Sequence, residues 1–129
     1  MADSATKRVL VIDDAALVRL YYREALEAAG FEVDEALNGL EALEKVLAAR
    51  VDLLVVDVNM PQMDGLTFLE ALRRQDLPVA SIPALITSTE AEPQDFEAAR
   101  AAGGNFYLVK PISRETITDY AAMLCGLVK

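Results

Sequence analysis

Val51-Asp52-Leu53-Leu54-Val55-Val56-Asp57 decides how this chain folds. The apolar run is too short for a helix and too continuous for a strand with one wet face, so it reads as a central parallel strand covered on both sides. A parallel neighbour needs a crossover connection, normally a helix. The sequence supplies one: Pro61 and Gly65 bracket a turn, after which Leu66, Leu69 and Leu72 recur at helical spacing until the pattern runs out near Gln75.

The same alternation extends in both directions. Upstream, Val9 to Ile12 reads as a strand, and Leu17, Leu20, Tyr21, Ala25 and Ala28 follow at helical spacing until Gly30 closes the helix. Phe31 to Ala36 alternates apolar and acidic residues as a half-buried strand does. Asn38 then offers an N-cap, with Glu41 three positions on, to a helix bearing Leu40, Leu43, Val46 and Leu47. Downstream, Ile82 to Ile86 is the fourth strand. Pro93 suits the first turn of a helix carrying Phe96 and Ala99, which Gly103-Gly104 stops. Phe106 to Val109 is the fifth strand. It leads through Lys110-Pro111 to a last helix with Ile117, Tyr120, Ala121, Leu124 and Val128 on one stripe. The reading is α/β, (βα)5, with no repeat, linker or low-complexity segment, and right-handed crossovers put helices on both faces of a five-stranded parallel sheet.

With 129 residues and 53% apolar content, residues 1–129 are expected to form one domain. A chain of that size buries roughly two thirds of its unfolded surface. The excess of 21 acidic over 12 basic side chains, a net charge of −9, argues against nucleic acid and anionic membranes as partners. Met1 to Lys7 is short and polar, and no apolar run approaches the ~20 residues that span a bilayer, so a cytoplasmic location is expected. The single Cys125 cannot form an internal disulfide, and its place on the last helical stripe gives it a packing role.

Parallel strands bring their carboxyl ends to one edge of the sheet, where open α/β folds bind ligands. The residues arriving there are Asp13 and Asp14, Asp57, Thr87 and Lys110. Singly each has an ordinary reading: a helix cap, a loop carboxylate, a β-forming threonine, a solvated lysine. Together, three carboxylates repel one another unless a cation neutralises them. A hard ion that takes carboxylate oxygens and phosphate fits, and a chain with no histidine has little for softer metals, so Mg²⁺ is expected. On the same argument, removing the charge of Asp13 or Asp57 is expected to stabilise the metal-free protein. A hydroxyl and an ammonium beside that centre are the donors that spread charge from a phosphoryl group in transfer, and Asp57, ending the most buried strand, is the natural nucleophile.

At these residues the chain resembles the receiver domains of two-component response regulators, most closely the single-domain CheY-like chemotaxis proteins. The motifs are Val11-Ile12-Asp13-Asp14, Asp57-Val58-Asn59-Met60-Pro61-Gln62-Met63-Asp64-Gly65, Ile86-Thr87-Ser88 and Val109-Lys110-Pro111. The resemblance implies a flavodoxin-like, doubly wound fold with strand order 2-1-3-4-5. It implies Asp57 as phosphoacceptor from a histidine kinase. It further implies Mg²⁺ held directly by Asp14, Asp57 and the Asn59 carbonyl and through water by Asp13, with Thr87 and Lys110 on the phosphoryl oxygens. Asn59 is placed to orient water near the acyl phosphate, and the Lys110-Pro111 peptide is expected to be cis. Thr87 and Tyr107 form the expected switch pair, remodelling the α4-β5-α5 surface for an output protein.

Because the sequence ends at Lys129 with no effector domain, output is expected to pass to a partner, with the flagellar motor switch favoured. Such a protein is a signalling phosphoacceptor, catalysing only its own phosphotransfer and autodephosphorylation. Thr89 stands where CheY proteins often have Glu, and the segment before Lys110 is one residue longer. Three alternatives stay open: a phosphorelay intermediate or phosphate sink, an aspartyl-phosphate metal-dependent phosphohydrolase, and an FMN-binding flavodoxin. Against the hydrolase, Asp57-x-Asn59 lies on the third strand, and haloacid-dehalogenase enzymes carry Asp-x-Asp on the first. Against the flavodoxin, no Ser/Thr/Gly-rich phosphate loop follows the first strand.

Overall fold

The structure, a computed structural model, describes residues 6–127. Five strands, β1 (Arg8–Ile12), β2 (Glu32–Ala36), β3 (Leu53–Asp57), β4 (Ala84–Ser88) and β5 (Phe106–Val109), alternate with α1 (Ala16–Ala28), α2 (Gly39–Ala48), α3 (Gly65–Arg73), α4 (Pro93–Ala102) and α5 (Arg114–Leu124). The sheet is wholly parallel in the order β2-β1-β3-β4-β5, the expected flavodoxin-like arrangement. Every residue of β3 is buried, as its sequence required of the central strand.

Strand periodicity divides the core in two. Leu10, Ile12, Leu54, Val56, Ala84 and Ile86 face the layer of α2, α3 and α4. Their neighbours Val9, Val11, Leu53, Val55 and Leu85 face α1 and α5.

Local chemistry sets the helix ends. Asn38 accepts from the Glu41 amide, Asp64 from the Thr67 amide and Ser113 from the Thr116 amide, each satisfying an otherwise orphaned donor. The Glu92 amide donates to the Asp95 carboxylate at the start of α4, with Pro93 at its first position. Gly103 ends α4 with φ of 109°.

Four features depart from the sequence reading. The stripe of α1 is offset: Leu17 is 80% and Leu20 47% exposed, while Tyr22, Ala25 and Leu26 are buried. Its apolar residues, Leu17, Val18, Leu20, Tyr21, Tyr22 and Leu26, spread over more of the helix than one stripe, so spacing alone did not fix which of them turn inward. Leu40, Leu47 and Phe96 also lie outward, their places inside taken by Ala42, Val46 and Ala99. The fourth strand begins two residues late because Val79–Ser81 forms a 3₁₀ turn, and Thr87 lies within β4. Leu77-Pro78 is cis, which the sequence reading did not include, whereas the cis Lys110-Pro111 peptide is the one expected. Val128 and Met1 to Ala5 lie outside the described residues. Cys125 is half-buried against the α1/α5 layer, and burial pushes its thiol pKa up to about 11, in keeping with packing.

Edge strand β2 is held to α1 by charge. Glu35 accepts from Arg19 Nε at 2.8 Å and from Arg23 Nε at 2.6 Å. Partial burial works to raise its pKa, but the hydrogen bonds and charges of the two guanidiniums outweigh it and hold the carboxyl below the ordinary glutamate value. A depressed folded pKa gives stability that is present above the unfolded value and lost as pH falls through the folded one. Glu35→Gln is therefore expected to cost roughly 1 kcal/mol at neutral pH. Urea midpoints of variant and wild type should converge as the solution is acidified; a gap independent of pH would contradict this origin.

Candidate functional site

The register of the central strands builds the site. Asp57 pairs with Thr87 across β3 and β4, and Asp13 follows directly on β1, its amide donating to the Ala36 carbonyl. Lys110 follows β5, and its amide donates to the Ser88 carbonyl. Asp57 and Thr87 are buried at their strand ends, as is Asp13. Gly65 secures the loop between: a Cβ there would sit 2.2 Å from the Asp57 carbonyl oxygen, so only glycine lets α3 start this close to the strand.

Lys110 Nζ donates to Asp13 Oδ2 at 2.8 Å and to Asp57 Oδ1 at 3.2 Å. Burial raises the Asp57 pKa and the charge of Asp13 adds to it; the Lys110 ammonium opposes both, and the result is a carboxyl above the ordinary aspartate value. Burial alone would lower the Lys110 pKa. The bonds and charges of Asp13 and Asp57 win, holding the ammonium protonated. The repulsion inferred from the sequence is thus partly answered by the protein itself.

Asp13 is engaged throughout, since Oδ1 also accepts from the Ala15 amide. Loss of these bonds opposes the gain from removing its charge, so Asp13→Ala is expected to stabilise the metal-free chain less than charge removal alone implies.

Carboxylate oxygens of Asp13, Asp14 and Asp57 approach within 4.8 Å of one another. Asp14 is exposed and, among the described residues, makes no ion pair. This all-oxygen donor set fits a hard divalent cation. Asn59 lies exposed two residues beyond Asp57. The Thr87 hydroxyl is fully buried and reaches the Val56 carbonyl only at 3.5 Å, a weak bond. On β5, Tyr107 is half-buried: its hydroxyl donates to the Glu90 carbonyl at 2.9 Å and its ring meets Phe96 edge-on at 4.6 Å.

The structure therefore joins Asp13, Asp57 and Lys110 by hydrogen bonds and brings Asp14 within 4.8 Å of the other two carboxylates. Thr87 is beside them by register and Asn59 by chain proximity, whereas Tyr107 stands away on the α4 side. Beside Lys110 opens an apolar groove of about 470 Å³ whose walls include Leu17, Tyr21, Thr89 and Pro111. A larger groove of about 570 Å³ lies among Leu47, Arg50, Pro78 and Val79, at the far ends of the strands and away from this chemistry. Sequence reasoning missed Arg19, which donates to the Asp13 carbonyl at 2.7 Å. No local spacing announced it, because its anchor Glu35 lies on another element.

A parallel sheet of this order, with a lysine-bridged carboxylate cluster at its carboxyl edge, defines a phosphoacceptor type of signalling domain. The chain belongs to the response regulator receiver domain family, whose profile matches residues 9–122. In structure it is similar to the chemotaxis protein CheY4 of Vibrio cholerae, with 36% identity, a TM-score of 0.87 and coverage of 93% of this chain and 99% of that one. A putative response regulator from Chloroflexus aurantiacus matches at 28% identity and a TM-score of 0.87, over 94% of this chain and 98% of its own. In sequence it is 36% identical to the transcriptional regulatory protein PrrA of Mycobacterium leprae over 93% of this chain and 51% of that protein. It is 34% identical to the sensor protein EvgS of Escherichia coli over 90% of this chain and 9% of that one. The chain thus spans about half or less of the length of these sequence relatives. Receiver domains of this family work with histidine kinases and output partners. No helix among the described residues is long and apolar enough to cross a membrane.

Proposed function

We propose that the protein is a phosphorylation-dependent switch of the chemotaxis type, in which Asp57 accepts a phosphoryl group from a histidine kinase and the α4-β5-α5 face then binds a motor switch component. The carrying observation is the Lys110 ammonium set between Asp13 and Asp57. The likeness to CheY4 over nearly the whole of both chains supports the chemotactic output.

In this reading a carboxylate oxygen of Asp57 forms a bond to phosphorus as the bond to the donor imidazole nitrogen breaks, and the imidazole keeps the electron pair. Lys110 holds its ammonium where negative charge accumulates, and Thr87 supplies a hydroxyl for the same oxygens. Asp14, Asp57 and the Asn59 carbonyl would hold Mg²⁺, with Asp13 outside them through water; the ion supplies charge neutralisation at the phosphoryl oxygens. Hydrolysis returns the carboxylate, with Asn59 beside the path of the attacking water. Movement of Thr87 toward the phosphoryl group frees space under β4. Tyr107 must then give up its bond to Glu90 to turn inward, which frees the loop before α4. Exposed Leu17 borders the groove beside Lys110 and offers the kinase an apolar edge. A cytoplasmic setting follows from this chemistry.

A second reading, phosphorelay intermediate or phosphate sink, is favoured by Thr89, which lines that groove where CheY proteins often carry Glu. One experiment separates them. The beryllofluoride-loaded protein is expected to bind flagellar motor switch protein at least tenfold more tightly than the unloaded form, and Asp57→Asn to show no such gain. Absence of motor affinity, together with back-transfer to a histidine phosphotransfer domain, would replace the first reading with the second.

A further inference from the structure

We propose that Arg19 is a positioning residue for the cation site, locking the peptide between Asp13 and Asp14 so that the Asp14 carboxylate is presented to the ion. The inference rests on the receiver reading above and adds a residue to it.

The Arg19 side chain is 16% exposed, and its planar fork makes two contacts at once: one NH1 hydrogen bond to the Asp13 carbonyl at 2.7 Å and one Nε hydrogen bond to Glu35 at 2.8 Å. Glu35 cannot swing away, because its other oxygen accepts from Arg23 at 2.6 Å. Four separate bonds therefore hold Asp13: its amide to Ala36, its carbonyl from Arg19, and its two carboxylate oxygens from Ala15 and Lys110. The carbonyl bond is the one that reaches Asp14. That carbonyl belongs to the peptide plane carrying the Asp14 amide, so fixing it restricts the backbone from which the Asp14 side chain departs. At the head of α1 Ala15 occupies the N-cap position and has no capping side chain; the Asp13 Oδ1 bond to the Ala15 amide holds the peptide that follows Asp14, and the Arg19 bond holds the one that precedes it. The Asp14 carboxylate has no ion-pair partner of its own among the described residues, so its aim depends on the backbone.

Charge and position make opposite forecasts. A guanidinium near the acidic cluster repels a divalent cation, so if Arg19 acted through charge alone its removal would tighten Mg²⁺ binding. If it acts by position, removal weakens binding, as loss of a group orienting a metal ligand commonly does by roughly 10- to 100-fold. Lysine keeps the charge and cannot span both acceptors in the fork geometry.

Mg²⁺ alone, titrated into folded wild type, Arg19→Met and Arg19→Lys by calorimetry, tests the assignment. The expected result is a dissociation constant raised about tenfold or more in Arg19→Met and by a smaller factor, in the same direction, in Arg19→Lys. Tighter binding in Arg19→Met with no change in Arg19→Lys would replace positioning by charge, and wild-type affinity in both would end the proposal. Should Arg19→Met fail to fold, Arg19→Lys decides: a raised constant supports positioning, an unchanged one overturns it. A wild type that binds no Mg²⁺ and takes up no phosphoryl group would remove the receiver reading and this inference together, whereas normal phosphoryl uptake with unshifted variants removes the inference only.

Discussion

Incubated with acetyl phosphate and Mg²⁺, the wild-type chain is expected to gain one phosphoryl group and Asp57→Asn to gain none. The argument is one of competition among three carboxylates. Asp13 has both oxygens committed to the Ala15 amide and to Lys110. Asp14 is exposed and lacks the ammonium. Asp57 alone combines burial at the end of the central strand, a lysine at 3.2 Å and a threonine opposite it in register. An amide isostere keeps the shape of the side chain and removes the nucleophile, so uptake should fall to background and not merely slow. Intact mass reads the result. Phosphorylation of Asp57→Asn at the wild-type level would place the nucleophile elsewhere and dismantle the site.

Lys110→Ala should destabilise the metal-free protein by about 3 kcal/mol, toward the lower end of what removing one member of a buried ion pair costs. Its side chain is 18% exposed and the two carboxylates it serves are more buried still, so their charges would be left facing one another. The folded-state pKa of Lys110 is raised, so its contribution is fully present below the ordinary lysine value and is lost as pH rises through the folded one. The gap between wild type and variant should consequently stay flat from roughly pH 6 to 9. Mg²⁺ should narrow that gap, because a second cation then serves the same oxygens; any ion at a hundredfold excess over its Kd stabilises by about 2.7 kcal/mol. Urea unfolding in EDTA and in Mg²⁺ measures both effects. Equal midpoints in EDTA would mean that Lys110 is a solvated lysine after all.

These two arguments show what the sequence could carry and where it stopped. Asp57 was legible because a continuous apolar run before a carboxylate identifies both the strand and its functional end. Glycine and proline punctuation placed α3 and α4 in the same way. The α1 face was not legible: Leu17 and Tyr22 compete for the inside of a helix whose apolar residues spread wider than its buried stripe, and only packing against α5 settles it. Thr87 was placed just after its strand and lies within it, because Ile82 is tied to the 3₁₀ turn at Val79–Ser81 and the ladder runs on at the other end, where Thr87 pairs with Asp57 and Leu108. Long-range polar contacts were invisible. Arg73 illustrates this: it spends its guanidinium on the carbonyls of Ala80, Ile82 and Gly103, with no carboxylate partner among the described residues and no spacing to betray it.

The two-sided core has a consequence for how this chain tolerates change. Residues on opposite faces of a close-packed sheet share no side-chain neighbours, and distant substitutions without common partners are additive. An insertion of bulk beneath α5 at Leu85 and one beneath α4 at Ile86 should therefore be felt separately, although the two residues are adjacent in sequence. The carboxyl edge carries the polar row of Asp13, Asp57 and Lys110, with Thr87 paired to Asp57. Sequence drift can thus rework one helical layer while leaving the side-chain packing of the other in place.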